Sequence, residues 1–158
     1  MKENIEMNTL HKLTTGIYVL TTKKEDEING MIATWVSQVS SRPPLIVVCV
    51  KNVRYSHHMI KDSGIFVINI LRDNQKDLVT IFKSRVKTKS DKFKEIPYFI
   101  KDTGAPIIKD ALAYLECKVT SSIDPGDHTI FLGEVIHAEM LRDGQPLNIH
   151  HLGKYYQG

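Results

Sequence analysis

The chain has 158 residues, 42% of them hydrophobic and 25% charged, with two cysteines and a formal net charge of +3. Such a composition fits one soluble globular domain over residues 1–158 that buries its own core. It excludes a disulfide scaffold; the mild positive balance admits an anionic small ligand without asking for nucleic acid, and no apolar stretch approaches the ~18 residues of a membrane-spanning helix.

The opening MKENIEMNTLHKLTTG is too polar for a secretory leader, which predicts a cytoplasmic protein. Residues 4–14 are expected to form a short, weakly amphipathic helix through Met7 and Leu10. Ile17 to Thr22 is rich in β-branched and aromatic residues and reads as a strand. Lys23 to Glu27 reads as a charged turn, and Ile28 to Val36 as the returning strand. LIVVCV, residues 45–50, is a continuous apolar run behind Pro43 and Pro44 and predicts a buried strand. NVRYSHHMIKDSG predicts a short helix closed by Gly64. IFVINIL, 65–71, is a further apolar strand. In NQKDLVTIFK, Leu78, Ile81 and Phe82 recur at helical spacing, with Asn74 as the candidate cap.

Residues 84–110, with Pro97 and Pro106, read as irregular. From Ala111 the pattern alternates: Ala113, Leu115, Cys117 and Val119 to one side, Glu116, Lys118 and Thr120 to the other. The turn SIDPGD joins this strand to a second, 128–141, as a long hairpin. RDGQP is a turn, Leu147 to Leu152 is apolar but histidine-rich, and GKYYQG is the tail. About six or seven strands, a few short helices and no βαβ alternation predict a mainly β (α+β) fold, a barrel with peripheral helices. Cys49 and Cys117 sit in apolar runs without a CxxC and read as small buried hydrophobes, which suits a reducing cytosol. GxGxxG and P-loop sequences are absent, so any nucleotide is held another way.

Four stretches carry candidate chemistry, each with a plainer alternative. NGMIATWVSQVSSRPP places Thr34, Ser37, Ser40 and Ser41 around the only tryptophan, Trp35. This is either a strand running into a polar loop or a place where hydroxyls and amides meet the edge of a heteroaromatic ring while the indole packs on its face. KSRVKTKSDKFK gathers Lys83, Arg85, Lys87, Lys89, Lys92 and Lys94, with Thr88 and Ser90 as hydroxyl donors. It is either a solvated basic loop or a phosphate clamp; with Phe93 its one aromatic, it is a poor nucleic-acid surface. KNVRYSHHM sets Lys51 and Arg54 beside a helix start that carries Ser56, either decoration or an anion site. DPGDHTIFLGEV puts Asp127 and His128 at the mouth of an apolar strand, either a hairpin tip or one wall of a site. The seven histidines form no HExxH and no i,i+4 pair, so no metal site is expected. No nucleophile elbow accompanies His128.

In order, GIYVLTT, TWVSQVSSRPPLIVVCVKN, SHHMIKDSGIFVINIL, KTKSDKF and GDHTIFLGEV resemble the flavin reductase-like family of FMN-binding split barrels, from about Leu10 to Tyr155. The TWVSQVS and KTKSDKF forms look most like flavoredoxin and the flavin domains fused to rubredoxin or flavodiiron proteins. The resemblance implies a homodimer with FMN near the subunit interface and NADH or NADPH as reductant. It implies that Asn29, Thr34, Trp35 and Ser37 line the isoalloxazine and ribityl, that Ser56 with Lys51 nearby holds the phosphate, and that Lys92 contacts the flavin or its phosphate. His128 would sit beside the ring where nicotinamide docks, and Tyr155 would come from the tail. Electrons would pass to free flavin, a small rubredoxin-like protein or ferric iron; the alternative is a non-enzymatic FMN-binding electron carrier. With no rubredoxin-type cysteine pairs in these residues, a rubredoxin acceptor is expected to be a separate protein.

Overall fold

A computed structural model describes residues 4–84 and 91–153. After one helical turn, α1 (Met7–Leu10), come β1 (Tyr18–Lys24), β2 (Glu27–Ala33), β3 (Val36–Ser41) and β4 (Pro44–Lys51). Then follow α2 (Tyr55–Ser63), β5 (Ile65–Ile70), α3 (Lys76–Lys83), β6 (Tyr98–Phe99), β7 (Ile107–Ile108), β8 (Ala113–Ile123) and β9 (His128–Met140). Single 3-10 turns lie at Asp91–Phe93 and Ile149–Leu152.

Seven strands form one antiparallel sheet in the order β2-β1-β5-β8-β9-β4-β3. β2 at one edge nonetheless touches β4 near the other, so the sheet curls on itself. The interior is filled from six of the seven staves by Leu20, Met31, Ala33, Ile46, Val48, Phe66, Ile68, Cys117 and Phe131, with Ile60 from α2 and partly buried Val36 from β3. Each fully buried apolar side chain of this size contributes about 1.5–3 kcal/mol. On the outer face α3 lays Leu78, Val79 and Phe82 against Val19, Ile32 and Phe93. The β6–β7 ladder and the segment between them cover a further part of the outer face, packing Ala105 and Ile107 on Val67 and Tyr114.

Most strand and helix expectations hold, and the differences have physical causes. The charged turn contracts to Glu25–Asp26, with Glu25 in the left-handed region at φ 53. The returning strand ends at Ala33, because Val36 pairs with Val48 of β4 and belongs to a separate edge strand, β3. Thr34 and Trp35 cross the seam between the two sheet edges. Asn74 is not the cap of α3: the helix starts one residue later, and the side chain at its cap position, Gln75, accepts from Arg72 N at 2.8 Å and donates to Asp110 O at 2.8 Å. Glu116 was expected on the polar face of β8 but is fully buried, because the segment before β7 folds over it. The closure of α2 by Gly64 is as expected: its φ of 69 is the left-handed cap, and its N–H donates to Ile60 O at 2.8 Å.

Gly133 marks a tight point of the interior. A Cβ there would lie 2.6 Å from Phe66 Cζ and 3.0 Å from Cys117 Cβ. Gly133→Ala is expected to destabilise the chain by about 1–3 kcal/mol in urea unfolding, whereas Gly126→Ala, which meets nothing within 4 Å, leaves the midpoint unchanged within error.

Candidate functional site

The seam residues lead directly to the site. Trp35 accepts a backbone hydrogen bond from Cys49 N at 3.0 Å, which pins the crossing to β4. Its half-buried indole lies against the buried His128 ring, with centroids 4.5 Å apart and planes tilted by 36°. Lys51 is the register partner of His128 across β4 and β9. Thr34, beside Trp35, is buried.

The tip of the β8–β9 hairpin is fixed by a set of short bonds. His128 Nδ1 is 2.7 Å from Asp127 Oδ1. An ionised carboxylate only accepts, so Nδ1 carries the proton and Nε2 is the ring atom left for other work. That bond, first among several influences, holds the Asp127 carboxyl below its usual range. Asn52 ties the β4–α2 loop to the tip through Asn52 N to Asp127 O at 2.9 Å and Asn52 Nδ2 to Gly126 O at 3.1 Å. Thr129 is the knot beneath: its hydroxyl lies 2.6 Å from Asp124 Oδ1, 3.1 Å from Asn52 Oδ1 and 2.7 Å from His57 Nε2. With one proton to give, the hydroxyl donates to the nearer carboxylate and accepts from His57 Nε2. Burial, reinforced by His58 and Lys61, pushes the His57 pKa down and keeps that ring neutral.

The start of α2 forms the second half. Arg54 occupies the cap position without a side-chain cap bond, and the first turn carries no acid. Ser56 is almost fully buried and accepts a hydrogen bond from Asn29 Nδ2 at 3.0 Å, joining α2 to β2. Tyr55 OH donates to Glu27, and Lys24 pairs with Asp62 at 2.5 Å, fastening the same helix to the β1–β2 hairpin. From the 3-10 turn, Lys92 Nζ donates to Gly30 O at 3.0 Å, one residue along from Asn29. Burial first, and Arg54 second, push the Lys92 pKa down.

Asn29, Ser56 and Lys92 are thus brought together, and Thr34, Trp35, Lys51 and His128 form the adjoining wall; the short β4–α2 loop connects the two. Ser37 stands apart, exposed on β3, its hydroxyl donating to Gln38 O at 3.2 Å. It borders a cavity of about 410 Å³ with Tyr18, Val36, Ile46, Ile70 and Val135. Tyr155 and the segment with Arg85, Lys87, Thr88, Lys89 and Ser90 lie outside the described residues. Thr129, Asn52, Asp124 and the Gly30 carbonyl were not singled out from sequence, because an isolated Thr or Asn in a strand or turn carries no local signal.

The flavin reductase like domain profile matches residues 10–158. The chain belongs to the flavin reductase-like family. It is 37% identical over 145 residues to the high molecular weight rubredoxin of Moorella thermoacetica, aligning 90% of this chain with 63% of that protein, so it spans less than two thirds of that relative. It is 31% identical over 145 residues to a ferric-chelate reductase (NAD(P)H) of Archaeoglobus fulgidus, covering 90% of this chain and 86% of that one. The NADH:FAD oxidoreductase SgcE6 of Streptomyces globisporus C-1027 superposes with a TM-score of 0.83 at 30% identity, over 93% of this chain and 83% of its own. The curled, mainly β architecture of this flavin reductase-like domain is the split barrel expected from its sequence.

Thr129→Val keeps the shape of the side chain but strands His57 Nε2 and Asp124. The variant is expected to lose about 1–3 kcal/mol of stability. Because the His57 pKa is depressed on folding, its contribution is fully present above the unfolded value of about 6.5 and is lost as pH falls through the folded value. The urea midpoint of the native chain should therefore drop as the buffer goes from pH 7 to pH 5, and His57→Phe should flatten part of that slope.

Proposed function

We propose that this chain is an FMN-binding, NAD(P)H-dependent oxidoreductase of the flavin reductase type. The observation that carries the reading is the junction of a cationic donor set, Lys92 with Arg54 and the uncapped start of α2, with the Trp35–His128 ring pair. Burial and Arg54 both act against the Lys92 ammonium, and a bound phosphate would offset both. Helix-start amides, an ammonium and a guanidinium are the donors a phosphate dianion needs. The fit to FMN therefore rests on donor chemistry at one end and an aromatic wall at the other.

The bound flavin would accept hydride and pass electrons on; the chain's residues hold and shield it. Lys92, Ser56 with its backbone amide, and Lys51 hold the phosphate end. Asn29 and Thr34 supply polar contacts beside the ring, and Trp35 gives an apolar surface. His128, its Nδ1 proton committed to Asp127, offers Nε2 at the ring edge to orient a nicotinamide carboxamide or, when protonated, to favour negative charge there. The assignments of Ser37 and Tyr155 rest on the resemblance alone. The onward acceptor is free flavin, a small rubredoxin-like protein or ferric iron, in keeping with the names of the relatives.

The protein is also proposed to act as a homodimer in the cytoplasm. β3 is an edge strand with Val39 52% exposed, and the apolar cavity beside it opens to the surface. A second copy of the chain is the proposed cover. Sedimentation velocity should give two chains per particle; a monomer at every concentration would remove this part of the reading.

The decisive experiment mixes FMN-loaded protein with NADH or NADPH without oxygen and follows the flavin band at ~450 nm. Rapid bleaching is expected. No bleaching with either nucleotide leaves only the electron-carrier alternative. Lys92→Ala should weaken FMN binding by about tenfold or more. His128→Ala should retain FMN but slow its reduction by about a hundredfold. Unchanged binding and rates in both variants would refute these roles.

A further inference from the structure

Three side chains from distant parts of the sequence meet on the outer face of the β8–β9 hairpin, far from its tip. Asp102, Glu116 and His137 each present a ligand atom, and these atoms lie within 4.8 Å of one another. Glu116 and His137 are register partners, and the ladder shifts immediately after Glu116. Such irregularities re-aim side chains. Asp102 arrives from the segment between β6 and β7 that folds over this face.

Glu116 distinguishes this group from an ordinary surface cluster of acids. Its side chain is fully buried. Oε1 accepts from Thr103 N at 3.0 Å and from Thr103 Oγ1 at 2.7 Å. Oε2 is buried with no hydrogen-bond partner among the described residues. Burial of a carboxylate oxygen without a donor is unfavourable, and coordination of a cation is one of the few ways to offset it. His137 Nδ1 stands 3.8 Å from Asp102 Oδ2. Two ligands on a tetrahedral ion with bonds of about 2.1 Å lie about 3.4 Å apart, so a small inward shift completes that edge.

The surroundings hold the imidazole in place. Its ring stacks on Tyr114, with centroids 5.7 Å apart and planes within 24°, and Tyr114 OH donates to Glu139 at 3.0 Å. The neighbouring cation, Lys101, pairs with Glu139 at 3.0 Å and approaches only the other ring nitrogen of His137, at 3.5 Å. With Nδ1 turned to an ion the ring proton sits on Nε2, and Lys101, a donor only, stays with Glu139.

We infer that Asp102, Glu116 and His137 form a site for a divalent first-row transition ion. One imidazole with two carboxylates suits Zn²⁺, Mn²⁺ or Fe²⁺, whereas Mg²⁺ and Ca²⁺ favour all-oxygen shells. The ion would clamp the segment between β6 and β7 onto the barrel. The site lies up to about 30 Å along β9 from His128 at ~3.3 Å per residue, so it stands or falls apart from the flavin reading. It also departs from the expectation of no metal, which rested on local spacing motifs.

The test uses FMN-loaded, chelator-stripped protein titrated with Zn²⁺ alone and, separately, Co²⁺ alone. One equivalent of either ion is expected to bind and to raise the thermal unfolding midpoint, with Co²⁺ giving visible d–d bands. His137→Ala and Asp102→Asn should each weaken binding by at least about tenfold while leaving anaerobic flavin reduction at the native rate. Glu116→Gln should do the same if it folds; the other two variants carry the test if it does not. Absence of stoichiometric binding below about 1 mM (a barely favourable ~4 kcal/mol), or native-like binding in both His137→Ala and Asp102→Asn, would overturn the assignment.

Discussion

Between Ala33 and Val36 the backbone leaves one edge of the seven-stranded sheet and joins the other, and only Thr34 and Trp35 span the gap. Successive strands usually pair with each other; here they lie at opposite ends of the strand order, which is possible only because the sheet curls until those ends meet. Trp35 bonds to Cys49 and packs on His128. The closure of the barrel and one wall of the site are therefore the same piece of chain. Glycine at 133 leaves room for Phe66 to cross the interior of the closed sheet.

Buried polar groups fasten the peripheral pieces to this frame. Asn69, fully buried, donates to Val19 O at 3.1 Å and accepts from Ile108 N at 2.8 Å. Thr21 donates to Pro106 O at 2.5 Å. These bonds dock the β6–β7 arm on β1 and β5 and so place Thr103 over Glu116. Asn29 to Ser56 does the same for α2, and Lys92 to Gly30 for the 3-10 turn. Each is a specific bond in a region that hydrophobic packing alone would leave free to slide.

Local pattern was enough for most of the staves. The β-branched run at 17–22, the apolar runs at 45–50 and 65–71, and the alternation from Ala113 each appear as strands. So does Gly64 as a helix stop. The seam was misread as one strand to Val36, because TWVSQVSS has β propensity throughout and nothing local says that the hydrogen-bond partner changes. Glu116 was misplaced because alternation reports which way a side chain faces, not whether another segment covers that face. The site was legible in part: His128, Trp35, Lys92, Ser56 and Asn29 were named from motifs, whereas Thr129 and Asp124 were silent.

The sequence by itself determined the strand content, the helix ends and the family, since these depend on side-chain periodicity, turn chemistry and motifs held in fixed order. Tertiary structure alone decided which edges meet at Thr34–Trp35, that Lys92 is half-buried beside Arg54 rather than solvated, and that Asp102, Glu116 and His137 share one place. Those outcomes depend on desolvation and on contacts between residues far apart in the chain. Burial changes the cost of a charge or an unpaired oxygen by more than any local propensity, and it exists only once the barrel has closed.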